Sequence, residues 1–339
     1  MMKTINRIKT FISTAVMKYE VLEPLQYWLI SRRFKDEKRA VFEGIKRHLD
    51  KEYGGIIGTL RRNVHRIEKG LITRPEKPVY AESYIEETVN HLKTYLKKNN
   101  QEPSTVVWAF SVLDKYFEKV RNTEIIQRAR SSYLDIESGK KVVYVGPYRA
   151  EERTPLAVSY DDFLTLNERR RSVRYYLDKP VPHELIKKAM SAALLSPSAC
   201  NRQPFVFNVI DDPDLLKRAV ELPIGIGTFA FNIKMLIFVI GDLSYYFDER
   251  DKHLIYIDSS LAAMNFVLSL ETLGLSSCII NWADLKERNY QLKKLLRLKN
   301  FERCIMAISV GYADPNGGIS ASLKKDVDSV IKFFNNEAE

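Results

Sequence analysis

The apolar residues of this chain change their period partway along. Up to about residue 138 they recur three and four positions apart, over 5–30, 37–53, 56–71, 84–96, 106–120 and 124–136. That spacing predicts one amphipathic helix after another. Breaks are expected at Pro24, at Gly54-Gly55, and at the proline-bearing stretches 73–78 and 99–104, because glycine and proline end helices. Ser104 or Thr105 is expected to cap the helix that follows. Residues 138–162 read as an extended link. Beyond them helical patterns at 183–195, after 211–214, at 254–273 and at 284–298 alternate with apolar runs at 205–210, 233–242, 277–280 and 304–313. Runs that are apolar on both faces belong to strands covered on both sides. The reading is an α+β fold, a central sheet flanked by helices and preceded by an all-α domain. The boundary is placed at 150, giving domains 1–150 and 151–339.

Charge divides the chain at the same place. The net charge of +10 comes from residues 1–150, which carry +11 against −1 for the remainder. A basic surface is therefore expected on the helical half. No helix-turn-helix or stacking platform accompanies it, which argues against nucleic acid. On a helix Arg62, Arg66 and Lys69 share one face, with Arg61, His65 and Glu68 beside it. A phosphorylated substrate or an acidic partner would suit that face, and so would plain solvent. The first 30 residues are basic and amphipathic, which fits a peripheral membrane contact or, in preference, an arm across a dimer. No apolar run reaches the roughly 20 residues of a membrane span. No signal-peptide core is visible, so a cytoplasmic protein is expected. Cys200, Cys278 and Cys304 lie far apart, the pattern of neither a disulfide framework nor a zinc site.

Three stretches carry chemistry. "NERRRSVRYY" (167–176) crowds four arginines around Ser172. In an extended segment Arg170, Ser172 and Arg174 point the same way, and two guanidiniums with a hydroxyl suit a phosphate. "SPSACNRQPF" (196–205) sets small residues beside Asn201 and Gln203. A flat ligand could approach its backbone, and the amides would suit a heteroaromatic edge. "SVGYADPNGGISASLKKDV" (309–327) leaves a strand for a turn and presents Lys324 and Lys325 at what reads as a helix start.

Together, Arg-Arg-Ser-x-Arg, then Pro-Ser-x-x-Asn-x-Gln-Pro-aromatic, then a late Val-Gly-Tyr followed by lysines resemble the FMN-dependent nitroreductase family over about 163–330. The stretch 256–282 resembles that family's dimer helix and following strand. The resemblance implies an interlocked homodimer with FMN at the interface. It implies that Arg170, Arg171, Ser172 and Arg174 hold the phosphate and ribityl chain, joined by Lys324 or Lys325. Pro197, Ser198 and Asn201 would border the flavin ring, partly from the partner subunit, with Gln203 nearby and Ile280, Asn281 and Trp282 beside N5. It further implies NAD(P)H as electron donor to N5 and a small nitro- or quinone-like acceptor in ping-pong turnover, with no catalytic side chain. Trp282 replaces a glycine usual in the family, a bulk that would narrow the site. "GIG" (225–227) lacks the context of a dinucleotide fingerprint. The alternative is a flavin-binding accessory protein acting through its basic helices.

Overall fold

The computed structural model describes residues 33–98, 101–137 and 144–334. The helix expected over 5–30 and the first residues of the expected link, 138–143, lie outside them. Among the described residues five helices make up the first half: α1 (Arg33–Leu49), α2 (Tyr53–Leu71), α3 (Ile85–Leu96), α4 (Pro103–Lys119) and α5 (Glu124–Glu137). The apolar stripes of α2 to α5 close around a core of their own, with Leu60, Val64, Ile67, Val89, Leu92 and Leu113 fully buried. The buried Tyr133 satisfies its hydroxyl by donating to Asp114 Oδ1 at 2.5 Å.

Two expectations shift here. The break between α1 and α2 falls at 50–52, where Lys51 takes a left-handed φ of 54°, and Gly54-Gly55 lie inside α2. These glycines allow close approach: a Cβ on Gly54 would overlap Ser244 Oγ, and one on Gly58 would stand 2.8 Å from the Tyr245 carbonyl oxygen. The α2 backbone thus rests directly on the segment that follows a central strand. At α4, Glu102 is the N-cap residue and Pro103 opens the helix. Thr105 is buried and donates to Glu102 Oε2 at 2.8 Å.

The second half runs α6 (Tyr160–Arg169), α7 (His183–Ala193), β1 (Phe205–Ile210), α8 (Pro213–Ala219), β2 (Met235–Asp242), α9 (Leu254–Thr272), β3 (Ser276–Asn281), α10 (Lys286–Leu296) and β4 (Glu302–Gly311). The four strands form one antiparallel sheet in the order β1-β2-β4-β3. Alternation splits the sheet into two dry faces. Leu236, Phe238, Ile240, Cys278 and Ile280 meet Ala219 of α8 and Leu292 of α10. Met235, Ile237, Val239, Ile308 and Val310 meet Ala189 of α7 and Phe266, Val267 and Leu270 of α9. The strand runs are unbroken because neither face of β2 sees water. The protein is thus α+β, with helices on both sides of the sheet and a helical first half.

Helix α9 is apolar on its inner side and along a stripe of its outer side. Its inner side packs on the sheet, while Ile257, Leu261 and Met264 remain 48%, 42% and 38% exposed on its outer side. An 18-residue window within 249–272 reaches a mean hydropathy of 1.3, but 44% of that window is buried inside the protein, as in the core helix of a folded domain. After β4 the chain turns at 314–317, where Gly317 N–H donates to the Asp314 carbonyl at 2.9 Å. It then has no regular secondary structure as far as a short 3-10 turn at Val327–Ser329. The helix start expected at Lys324 and Lys325 is therefore not formed, and both lysines are exposed on irregular chain.

Candidate functional site

Helix α6 is closed at its start by a reciprocal Ser159–Asp162 cap and ends at Arg169. The chain then runs along the outer edge of β3. Val173 N–H donates to the Ser277 carbonyl at 3.0 Å, Ser172 bridges Ser277, and Tyr176 bridges Ala313 beyond β4. Extended backbone puts Val173 and Tyr176 into the core and leaves Arg170, Ser172 and Arg174 half-buried. Arg169 pairs with Glu271 at 3.4 Å. Arg170 and Arg174, by contrast, have no carboxylate at ion-pair distance among the described residues. Among the described residues the Arg174 guanidinium reaches the Ser172 carbonyl, at 3.4 Å, and lies over the Phe229 ring, 6.0 Å from its centroid. Arg171 donates to the Ala321 carbonyl at 3.4 Å, which brings the tail bearing Lys324 and Lys325 to the same side. Two half-buried guanidiniums without a direct ion pair, flanking a hydroxyl, are a donor set that fits a phosphate dianion.

Ile280, Asn281 and Trp282 follow on the same strand. Ile280 and Trp282 turn into the core, and Asn281 faces outward. The Trp282 ring meets Phe238 edge-on at 5.8 Å, and its N–H donates to Asn289 Oδ1 at 2.8 Å. Its bulk is thus taken up beneath the sheet, and only its main chain lies at the edge.

The loop after α7 is held from two directions. From α9, Asp258 accepts the Ala199 N–H on both oxygens at 3.2 and 3.1 Å, and Asn265 Nδ2 donates to Ser196 Oγ at 2.7 Å. From α2, Arg61 donates through Nε to the Asn201 carbonyl at 2.6 Å, through Nη2 to Gln203 Oε1 at 3.0 Å, and through Nη1 to Thr105 Oγ1 at 2.6 Å. Gln203 Nε2 donates in turn to the Leu194 carbonyl at 3.0 Å. Between these supports Cys200, Asn201 and Gln203 all adopt left-handed backbone, with φ of 54°, 53° and 53°. Three such residues without glycine cost about 1–3 kcal/mol each, so the surrounding bonds must hold the shape. Pro197 is exposed and Ser198 half-buried at the rim. Ser198 Oγ accepts the Gln203 N–H at 3.2 Å. The Asn201 side-chain amide has no hydrogen bond among the described residues.

Burial raises the Asp258 carboxyl above its usual range, against the opposing pull of the Ala199 N–H, Tyr246 and Arg202. Burial likewise lowers the Arg61 guanidinium from its usual value, with Glu102 opposing. Arg61, Asp258 and Arg202 were not singled out as site residues by their motifs. Two of them did leave a trace in the sequence. Arg61 stands four after Ile57 and three before Val64, on the apolar stripe of α2, and Asp258 is the lone acid within 254–270.

The two motifs do not meet within one chain. The loop is tied to Asp258 and the arginine segment lies beside Glu271, thirteen residues further along α9, or about 20 Å at the helical rise.

The Nitroreductase family model matches residues 168–228 and 225–312. A protein of Methanothermobacter thermautotrophicus provisionally named NADH dehydrogenase/NAD(P)H nitroreductase is 30% identical over 161 residues, 48% of this chain and 82% of that protein. Its namesake in Archaeoglobus fulgidus is 34% identical over 146 residues, 42% of this chain and 80% of the relative. Among solved structures, an FMN-dependent nitroreductase from Clostridium difficile R20291 is 26% identical and covers 51% of this chain and 99% of its own, with a TM-score of 0.43. Helices α1 to α5 fall outside the family match. With two relatives matched over 80% or more of their length at 30% identity or better, the chain belongs to the nitroreductase family of oxidoreductases.

Proposed function

We propose that the protein is a homodimeric, FMN-dependent oxidoreductase that accepts electrons from NAD(P)H and passes them to a small nitro- or quinone-like acceptor in ping-pong turnover. One observation carries this reading: the two halves of the site lie at opposite ends of a helix with an exposed apolar stripe on its outer side. A two-fold axis that packs α9 antiparallel against its copy covers that stripe. The same operation carries the 196–203 loop of one subunit toward the Arg170–Arg174 segment of the other.

FMN, when bound, supplies the redox chemistry. The chain's own residues bind and orient it. Arg170, Arg171 and Arg174, with Ser172 and Lys324 or Lys325, neutralise and hydrogen-bond the phosphate. Pro197, Ser198 and the Asn201 amide border the ring from the partner. Gln203, anchored at both ends of its amide, keeps the loop in shape. At Ile280–Trp282 the edge strand offers main-chain groups to the ring. The surrounding guanidiniums favour negative charge developing there.

The test is an anaerobic stopped-flow experiment on the FMN-loaded dimer, following the flavin's visible absorbance after NADH or NADPH is added. Rapid bleaching is expected. An intact, FMN-bound dimer that does not bleach with either donor overturns the oxidoreductase reading in favour of a flavin-binding accessory protein.

A further inference from the structure

The helical half brings its own positive charge to the flavin-bordering loop. Arg62 and Arg66 stand four apart on α2 and so share a face. Both are half-buried, and neither has a carboxylate at ion-pair distance among the described residues. The Arg62 guanidinium lies over the Phe247 ring at 4.9 Å, and that of Arg66 over Tyr84 at 3.7 Å. An aromatic ring beneath a guanidinium holds its plane and leaves the N–H fork for an acceptor. Glu87, the acid of α3 that attracts Arg62, already accepts the Asn63 amide at 2.9 Å.

A third guanidinium adds to them. Arg202 is 4% exposed and lies over Tyr246 at 4.9 Å. Its nearest ion pair, with Asp251, is 3.7 Å long, and its Nε has no hydrogen-bond partner. Burial, then the charges of Arg66 and Arg202, lowers the Arg62 guanidinium from its usual value. Arg250 lies over the same Phe247 ring at 5.5 Å. His48 is also near, its imidazole pushed down by burial and by Arg202, His91 and Arg62, and held by the Ser244 carbonyl at 2.9 Å. Asp251 is shared by Arg202 and Arg250, at 3.7 and 3.8 Å, and Asp258 also feels Arg202, but neither carboxylate pairs with Arg62 or Arg66. Positive charge partly withdrawn from water without a direct ion pair is costly, and an anion completes it. The place also fits a substrate: Arg61, one residue earlier, binds the Asn201 carbonyl, and α2 packs against the 199–201 turn.

We propose that Arg62 and Arg66, with Arg202 behind them, bind the phosphate or diphosphate of a soluble small-molecule substrate at the rim of the flavin site. This rests on the oxidoreductase reading for what happens to the substrate, but not for its binding. The helical half then serves as a recognition module for the anionic end of a molecule whose other end reaches the flavin.

The experiment is calorimetric titration of the dimer with pyrophosphate, alongside an FMN titration of the same samples. Wild type is expected to bind pyrophosphate, and Arg62→Gln/Arg66→Gln to bind it at least about tenfold more weakly. Lys115→Gln, whose ammonium pairs with Glu118 on the surface of α4, should bind as wild type does. If the double variant does not fold, Arg66→Lys, which keeps the charge and loses the fork, should still weaken binding by about threefold or more. Equal affinity in a folded double variant, or no binding by wild type, overturns the proposal. So does arginine-dependent binding that occurs only on vesicles of anionic lipid. Flavin bleaching without pyrophosphate binding sinks this assignment alone, and pyrophosphate binding without bleaching sinks the oxidoreductase reading alone.

Discussion

Every nitrogen of the Arg61 guanidinium is committed to a different segment: Nε to Asn201, Nη2 to Gln203 and Nη1 to Thr105. Two of these partners belong to a loop with three left-handed, non-glycine residues, so one side chain of the helical half maintains strain at the proposed flavin rim. Removing it leaves three acceptors without their donor, each at about 1–3 kcal/mol if water cannot reach it. The Asn201–Gln203 backbone is then released to relax. Arg61→Met is expected to lower unfolding stability by about 3–5 kcal/mol in urea titrations. It is also expected to weaken FMN binding by about tenfold or more, read from flavin fluorescence. A fall in stability with unchanged FMN affinity would show that the brace ends at the loop and does not shape the cofactor site.

At the scale of elements, the decisive contact is between α1 and α2 and the segment after β2. Asp242 closes β2 and accepts both the Ser244 N–H, at 2.8 Å, and its hydroxyl, at 2.6 Å. Burial pushes the Asp242 carboxyl up from 3.8 to about 6, with the Ser244 bonds opposing. Between those values the folded protein holds a proton that the unfolded chain has lost. The stability this confers is present below the unfolded value and lost as pH rises through about 6. Asp242 keeps partial solvent access, so the loss is at most about 3 kcal/mol. Urea unfolding across this range should show wild type losing stability relative to Asp242→Asn as pH rises, and a constant difference would refute the assignment. The elements at this junction were legible and their meeting was not. Periodicity located α2 and α4 within a few residues because each has one apolar stripe. Gly54-Gly55 read as a break because a glycine that ends a helix and one that admits a neighbour's backbone look alike in sequence. Trp282 was ambiguous in the same way, although its alternation with Cys278 and Ile280 along β3 does mark it as inward. The arginine and loop motifs were legible because unpaired guanidiniums and runs of small residues stand out. The buried Arg61 and Asp258 behind them were not, since their partners are distant in sequence.

At the scale of the whole molecule, several apolar side chains of a single chain stand uncovered. The outer stripe of α9, Tyr160, Phe163 and Leu164 of α6, and the tail from Leu323 to Phe334 carry exposed large hydrophobics. Of these, α6 leads directly into the Arg170–Arg174 segment, and α9 carries the partners of both halves of the site. Coverage of the stripe and assembly of the site are therefore one event in the proposed dimer. Leu261→Glu tests the coupling, because it puts a charge in the middle of the stripe while leaving the side of α9 that packs on the sheet unchanged. Light scattering should report a monomer, and its FMN affinity should fall by about a hundredfold or more, since the Arg170–Arg174 segment and the loop of the same chain stay about 20 Å apart. The helical half should remain folded, because its core is its own, and pyrophosphate binding at Arg62 and Arg66 should survive. A monomer that bound FMN as tightly as wild type would place the whole site within one chain. The exposed face of α9 would then need another explanation.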